Sequence, residues 1–302
     1  MEPDLIELKK LNKKYDSVQA VKDISFSIKP GEIFGLLGPN GAGKSTTIKM
    51  IMNILDPDSG QILFDGKKLK ASDNEKIGYL PEERGMYKKS TVTEFITYFG
   101  MLKGRSIEQL EMEIEKWLTY FDLHDWRYKK TEELSKGMSQ KVQFITSIIH
   151  DPEIIILDEP FSGLDPLSMD KLRGAILLLK DAGKTIIFST HVMEQAEKIC
   201  SHIMILNRGE AAITGSVSEI KSSFGNKMIA LEFDGDGSFI EALEEVESII
   251  KYPRYVEVEL KDEELADSFL RNIIDKISIK RYERIVPSLH KVFISSIGED
   301  LL

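Results

Sequence analysis

A chain of 302 residues with 42% hydrophobic and 30% charged side chains has the composition of a folded globular protein of one or two domains, which excludes the disordered and fibrous classes. Its formal net charge of −10 sets up a field that disfavours nonspecific binding to nucleic acid or to an anionic membrane surface. The single cysteine, Cys200, excludes an internal disulfide and a multi-cysteine metal site, and its setting in AEKICSHIMIL reads as a buried structural thiol. No apolar run approaches the roughly 20 residues of a membrane span, and the opening MEPDLIELKK lacks the apolar segment of a secretory signal.

In chain order, LIELKKL and AVKDISFSI have strand patterns, KPGE is a turn, and IFGLLG reads as a buried strand bounded by glycine. QILFDGKKL predicts a strand and turn, and IGYL a short buried strand. From Thr91 the period becomes helical. Thr91 or Thr93 is placed to cap TVTEFITYFGMLKG, and Ser106 with Gln109 forms a capping-box pattern ahead of the next helix. The Trp and Phe residues of this helical insertion, about residues 91–150, fall at core spacing.

LSKGMSQ, residues 134–140, reads as a turn before an apolar helix QKVQFITSIIH, followed by the strand IIILDEP. A helix over 167–179, the strand TIIFST, the helix VMEQAEKI and the strand HIMILN come next. This repeated order predicts an α/β core with a mainly parallel sheet. The glycine and polar residues of TGSVSEIKSSFGNK mark a boundary, dividing the chain into 1–220 and a small α/β domain over 221–302. In the latter, KMIALEF, RYVEVEL and IKRYERI read as strands, with helices from Ser238 and Asp262.

GPNGAGKS fits the phosphate-loop pattern GxxxxGK[ST] without mismatch: Gly38, Pro39, Asn40, Gly41, Ala42, Gly43, Lys44 and Ser45. It follows a strand and opens a helix, so that glycine backbone N–H groups and the helix start can line an anion-sized hollow. Lys44 can reach the β and γ phosphates, Ser45 can ligate magnesium, and Thr46 adds a donor. Asp158 and Glu159 end an apolar strand, where one carboxylate can hold the ion while the next poises a water. Taken alone, two such acids are commonly a helix cap or a surface turn. His191 follows TIIFST, either capping the next helix or standing near the γ phosphate. With five scattered histidines it has no zinc cluster to join.

Over about residues 4–215 these motifs resemble the nucleotide-binding subunit of an ATP-binding cassette (ABC) transporter. The resemblance implies a P-loop NTPase fold with an antiparallel N-terminal subdomain and a helical insertion, using ATP and Mg2+. It implies adenine stacking by Tyr15, and a signature loop containing Ser135, Lys136, Gly137 and Met138 that completes the ATP site of a second, head-to-tail copy. Asp165, in SGLD, belongs to the loop linking the two sites, and His191 matches the switch histidine. Two residues depart from the pattern: Met138 and Glu82 each stand where glutamine is usual. Glu82 can still accept a magnesium-bound water, with more negative charge than glutamine brings.

IGYLPEERGMY and PSLHKVFI resemble the ATPase subunits of sodium and drug exporters with separate ABC-2 type permeases. The expected setting is cytoplasmic, peripheral on the inner face of the cell membrane, with Arg84 and Tyr87 as permease contacts. Two further readings stay open: a soluble ABC-type ATPase regulating a macromolecular assembly, and a weakly hydrolysing immunity or regulatory subunit, which Met138 and Glu82 motivate.

Overall fold

A computed structural model describes residues 4–82, 85–223 and 227–297. Arg84 lies outside them. Contacts divide the chain into two compact units, Met1–Thr214 and Gly215–Leu302.

The first unit opens with β1 (Ile6–Tyr15), β2 (Val18–Ile28), β3 (Ile33–Leu37), α1 (Lys44–Ile51), β4 (Ser59–Phe64), β5 (Lys67–Lys68) and β6 (Ile77–Leu80). The helical insertion holds α2 (Val92–Leu102) and α3 (Ile107–Tyr120), and α4 (Lys136–Ile148) leads back to β7 (Ile154–Asp158). Then come α5 (Pro166–Asp181), β8 (Thr185–Thr190), α6 (Met193–Ile199), β9 (His202–Asn207) and β10 (Glu210–Ser216). Every residue of β3, β7 and β8 is buried, as expected of parallel strands covered on both faces.

Two sheets result. One is antiparallel where β2, β1, β4 and β5 pair in that order. The other runs β10-β9-β3-β8-β7-β6, with β9 through β6 parallel. One buried cluster joins them, drawing Leu8 and Ile24 from the first sheet, Ile48 and Ile51 from α1, and Phe34, Ile156 and Ile187 from the second. Phe26 stacks on Phe34 across this layer at 4.6 Å between ring centroids. Burying one such ring stabilises the unit by roughly 2–3 kcal/mol.

The helical insertion is set by its caps. Thr91, not Thr93, caps α2: its Oγ1 accepts from Glu94 N at 3.2 Å while Glu94 returns a carboxylate to Thr91 N at 2.8 Å. Thr93 instead donates to the Arg127 carbonyl. Ser106 and Gln109 form the reciprocal box of α3. Trp117, Phe121 and Phe144 are buried and in ring contact, so these aromatics are core. The expectation of a turn at 134–140 is corrected: α4 starts at Lys136, because Ser135 Oγ accepts from Met138 N and caps it.

The second unit contains α7 (Val217–Ser223), β11 (Met228–Asp234), β12 (Val246–Lys251), β13 (Val256–Leu260), α8 (Ala266–Ile274), β14 (Ser278–Ile285) and α9 (Leu289–Ile297). Its antiparallel sheet runs β12-β13-β11-β14, over a core that includes Ile229, Val258 and Phe269. The helix expected from Ser238 is a single 3-10 turn, Ser238–Ala242, and the residues after it form β12. Pairing with β13 overrides the helical preference of an acidic stretch.

Candidate active site

The loop between β3 and α1 can be made only by glycine at two places. Gly38 has φ 143° and Gly43 φ 106°. A Cβ on Gly38 would run into the Leu206 carbonyl on β9, and one on Gly43 into the Ala20 carbonyl on β2. The turn after β9 braces the loop from outside, Gly209 N donating to Ala42 O at 3.0 Å.

Lys44, 6% exposed, folds back over the loop and donates to the carbonyls of Gly38 at 2.7 Å and Pro39 at 3.1 Å. Burial holds its pKa below the usual lysine value against the opposing pull of Glu159, Asp158 and Glu82. A buried cation at the hollow suits a polyphosphate, and the carboxylates opposite it suit a metal ion accompanying the phosphates.

Asp158 ends β7 and stands opposite Ser189 in the parallel register. Burial raises its carboxyl pKa, while the hydroxyls of Ser189 and Ser45 work the other way. The Ser189 Oγ bond to Oδ1 is 2.7 Å. At Glu159 the backbone turns left-handed, with φ 48°, and its N–H donates to Ser189 O. That turn brings its carboxylate to the end of β8. Oε1 accepts from His191 N at 2.9 Å and lies 2.7 Å from His191 Nδ1, while Oε2 accepts from Thr190 Oγ1 at 3.1 Å. His191 does not cap α6, whose N-cap is Val192.

A cavity of about 260 Å3 brings together Asn40, Gly41, Gly43, Lys44, Ser45 and Thr46 with Glu82, Asp158, Glu159 and Ala20. Gly38, Pro39 and Ala42 shape the loop without lining it. Tyr15 lies apart at the end of β1, paired with Val18 and 45% exposed. Among the described residues none of Ser135, Lys136, Gly137 and Met138 lines the cavity. They open α4 against the Ser162–Asp165 loop of the same chain, where a Cβ on Gly137 would be 3.5 Å from Leu164. Asp165 caps α5, accepting from Ser168 N at 3.0 Å. Tyr87, 64% exposed, sits in an aromatic group with Tyr98 and Phe99. Sequence reasoning passed over Ser189, Thr190 and Ala20. No pattern within one segment points to the first two, which meet the acids only once β7 and β8 pair.

Ser45 and Asp158 meet as hydroxyl and carboxylate at one wall of the cavity. A buried carboxylate whose ionisation is penalised, with one hydroxyl and room for phosphate oxygens, fits a magnesium ion.

A glycine-made loop between a buried parallel strand and a helix, its lysine folded inward and two acids at the end of β7, with β8 between the two strands, defines a P-loop nucleoside triphosphatase. Residues 21–162 match the ABC transporter family and residues 215–297 match the C-terminal domain of ATP-binding protein DrrA1-3-like. The chain is 38% identical to the uncharacterized ABC transporter ATP-binding protein YhaQ of Bacillus subtilis (strain 168), over 97% of this chain and 99% of that one. It is 36% identical to the linearmycin resistance ATP-binding protein LnrL of the same organism, over 74% of this chain and 73% of that one. A solved ATP-binding subunit of an ABC transporter superposes with a TM-score of 0.68 at 33% identity, covering 73% of this chain and 93% of that one. The chain belongs to the ATP-binding subunits of ABC transporters, and binds and hydrolyses ATP in that role. Among the described residues no helix is long and apolar enough to cross a membrane.

Proposed function

We propose that two copies of this subunit close head to tail on two ATP molecules and drive export through a separate ABC-2 type permease, from a peripheral position on the cytoplasmic face of the membrane. The observation that carries this reading is the division of the ATP motifs within one chain. Loop, lysine and acids share a cavity, while Ser135–Met138 begin another helix outside it. The first turn of α4 carries no acidic residue, and its N–H groups and dipole suit the γ phosphate of a partner's ATP.

In the closed site Lys44 and the loop N–H groups hold the β and γ phosphates, Tyr15 stacks on adenine, and Glu159 orients the attacking water. Magnesium, held by Ser45 and Asp158 with Glu82 in reach, would neutralise phosphate charge. His191 lies beside Glu159 and turns to the γ phosphate. Asp165 ties the state of one site to the other. The resistance role in the name of LnrL and the DrrA1-3-like match favour drug efflux over sodium efflux. Tyr87 and its neighbouring rings offer an exposed aromatic surface to the permease.

The test is ATP-driven dimerisation of the Glu159→Gln protein with and without Ser135→Arg. Light scattering should show an ATP-dependent dimer for the first and a monomer that still binds ATP for the second. Equal dimerisation of both would rule out the composite site.

A further inference from the structure

The geometry points to Thr190 as a positioning residue for ATP hydrolysis, one that fixes the orientation of the Glu159 carboxylate. The inference rests on the assignment of Glu159 to the attacking water. Thr190 is the last residue of β8 and has no exposed surface. Among the described residues its Oγ1 has three hydrogen-bond neighbours: Glu159 Oε2 at 3.1 Å, Gln195 Oε1 at 3.2 Å, and Val192 N, which donates to it at 3.1 Å.

A hydroxyl offers one proton and two lone pairs. Val192 N–H occupies one lone pair. Both remaining neighbours are oxygens, and one proton cannot serve two acceptors. A carboxylate can only accept, whereas an amide can turn its NH2 toward the hydroxyl in place of its oxygen. One arrangement satisfies every atom: Gln195 donates to the second lone pair, and the Thr190 proton is committed to Glu159.

Glu159 is then held at both oxygens, by His191 N on Oε1 and Thr190 on Oε2. The His191 ring, whose Nδ1 also lies 2.7 Å from Oε1, is 49% exposed and has room to leave for the phosphate, while the His191 N–H and the buried hydroxyl stay. Thr190, on the oxygen that the ring does not touch, therefore fixes the turn of the carboxylate plane while the ring moves, and a carboxylate already in place loses less on reaching the transition state.

The experiment compares ATP turnover and ATP-analogue fluorescence for the full-length wild type, Thr190→Val, Thr190→Ser and Glu159→Gln. Valine keeps the shape and removes the donor. Thr190→Val should lower kcat about 10- to 100-fold, the weight of one hydrogen bond to a charged group, with analogue affinity unchanged. Thr190→Ser should restore most of the rate. Adding Thr190→Val to Glu159→Gln should cost nothing further. Gln195→Met, which frees a lone pair while leaving the hydroxyl in place, should slow turnover less, and supplies a second variant should valine disturb folding. Wild-type turnover in Thr190→Val, an equal fall in affinity and rate, or no rescue by serine would each overturn the role of Thr190. Unchanged turnover in Glu159→Gln would instead overturn the assignment of Glu159.

Discussion

The ammonium of Lys136 lies directly over Gly163: a Cβ placed on that glycine would be 2.5 Å from Nζ and 2.8 Å from Cε. The start of α4 and the Ser162–Asp165 loop of one chain therefore form one surface, although Lys136 and Gly163 lie 27 positions apart in sequence (163 − 136). Gly163 has φ 76°, a conformation that costs an L-residue about 1 kcal/mol. In Gly163→Ala the flexible lysine swings aside and the chain still folds. Single-site ATP affinity should hold, while the folded chain loses about 1 kcal/mol of stability, the cost of the left-handed turn. Urea unfolding beside analogue binding checks this, and an unchanged midpoint would mean that the alanine incurs no such cost at this turn.

Lys44 gives a second expectation. Its ammonium is satisfied by two loop carbonyls, so Lys44→Met removes the cation proposed to hold the phosphates and should leave the glycine conformations intact. ATP at a hundred times its dissociation constant stabilises a binding protein by about 2.7 kcal/mol, and that increment should vanish in Lys44→Met. Thermal melts with and without Mg·ATP read it directly. A variant that still melts higher with ATP would contradict the placement of Lys44 on the phosphates.

How much was legible follows from locality. The phosphate loop, the acid pair after IIIL and the box of Ser106 with Gln109 are local patterns, and each takes the local form expected of it. The LSKGM segment suggested a turn because glycine is a poor helix residue, yet Ser135 capping Met138 N outweighs it. β12 was hidden because its partner β13 decides its state, and a strand's preference depends on what it pairs with. Ser189 and Thr190 were hidden for a related reason. They face Asp158 and Glu159 only once β7 and β8 lie side by side in one register, a relation absent from either segment alone.

Cys200 is buried against the sheet, and a Cβ on Gly35 would touch its Sγ at 2.9 Å. Burial pushes its thiol pKa well above the ordinary value, and Glu32 adds to the effect. A thiol with so little thiolate and no access should resist iodoacetamide in the folded chain and react once urea unfolds it. Rapid labelling of the folded protein, followed by mass spectrometry, would show the region to be open.

His150 sets a pH dependence whose sign can be worked out. The ring is buried after α4, with Nε2 3.3 Å from Ile77 O. Burial, then the charge of Lys103, pushes its pKa from the ordinary 6.5 down to about 4, with the carboxylate of Asp151 opposing. Between those two values the unfolded chain takes up a proton that the folded chain refuses. The contribution of His150 to stability is therefore present above pH 6.5 and is lost as pH falls toward 4. The full loss is on the order of 3 kcal/mol at 1.36 kcal/mol per unit. His150→Gln keeps a donor for the Ile77 carbonyl and removes the titration. Urea unfolding at pH 7 and pH 4.5 should show a smaller acid penalty for the variant than for the wild type, whatever the offset at pH 7. Equal penalties in the two proteins would mean that His150 is protonated within the fold, and that the acid sensitivity arises elsewhere.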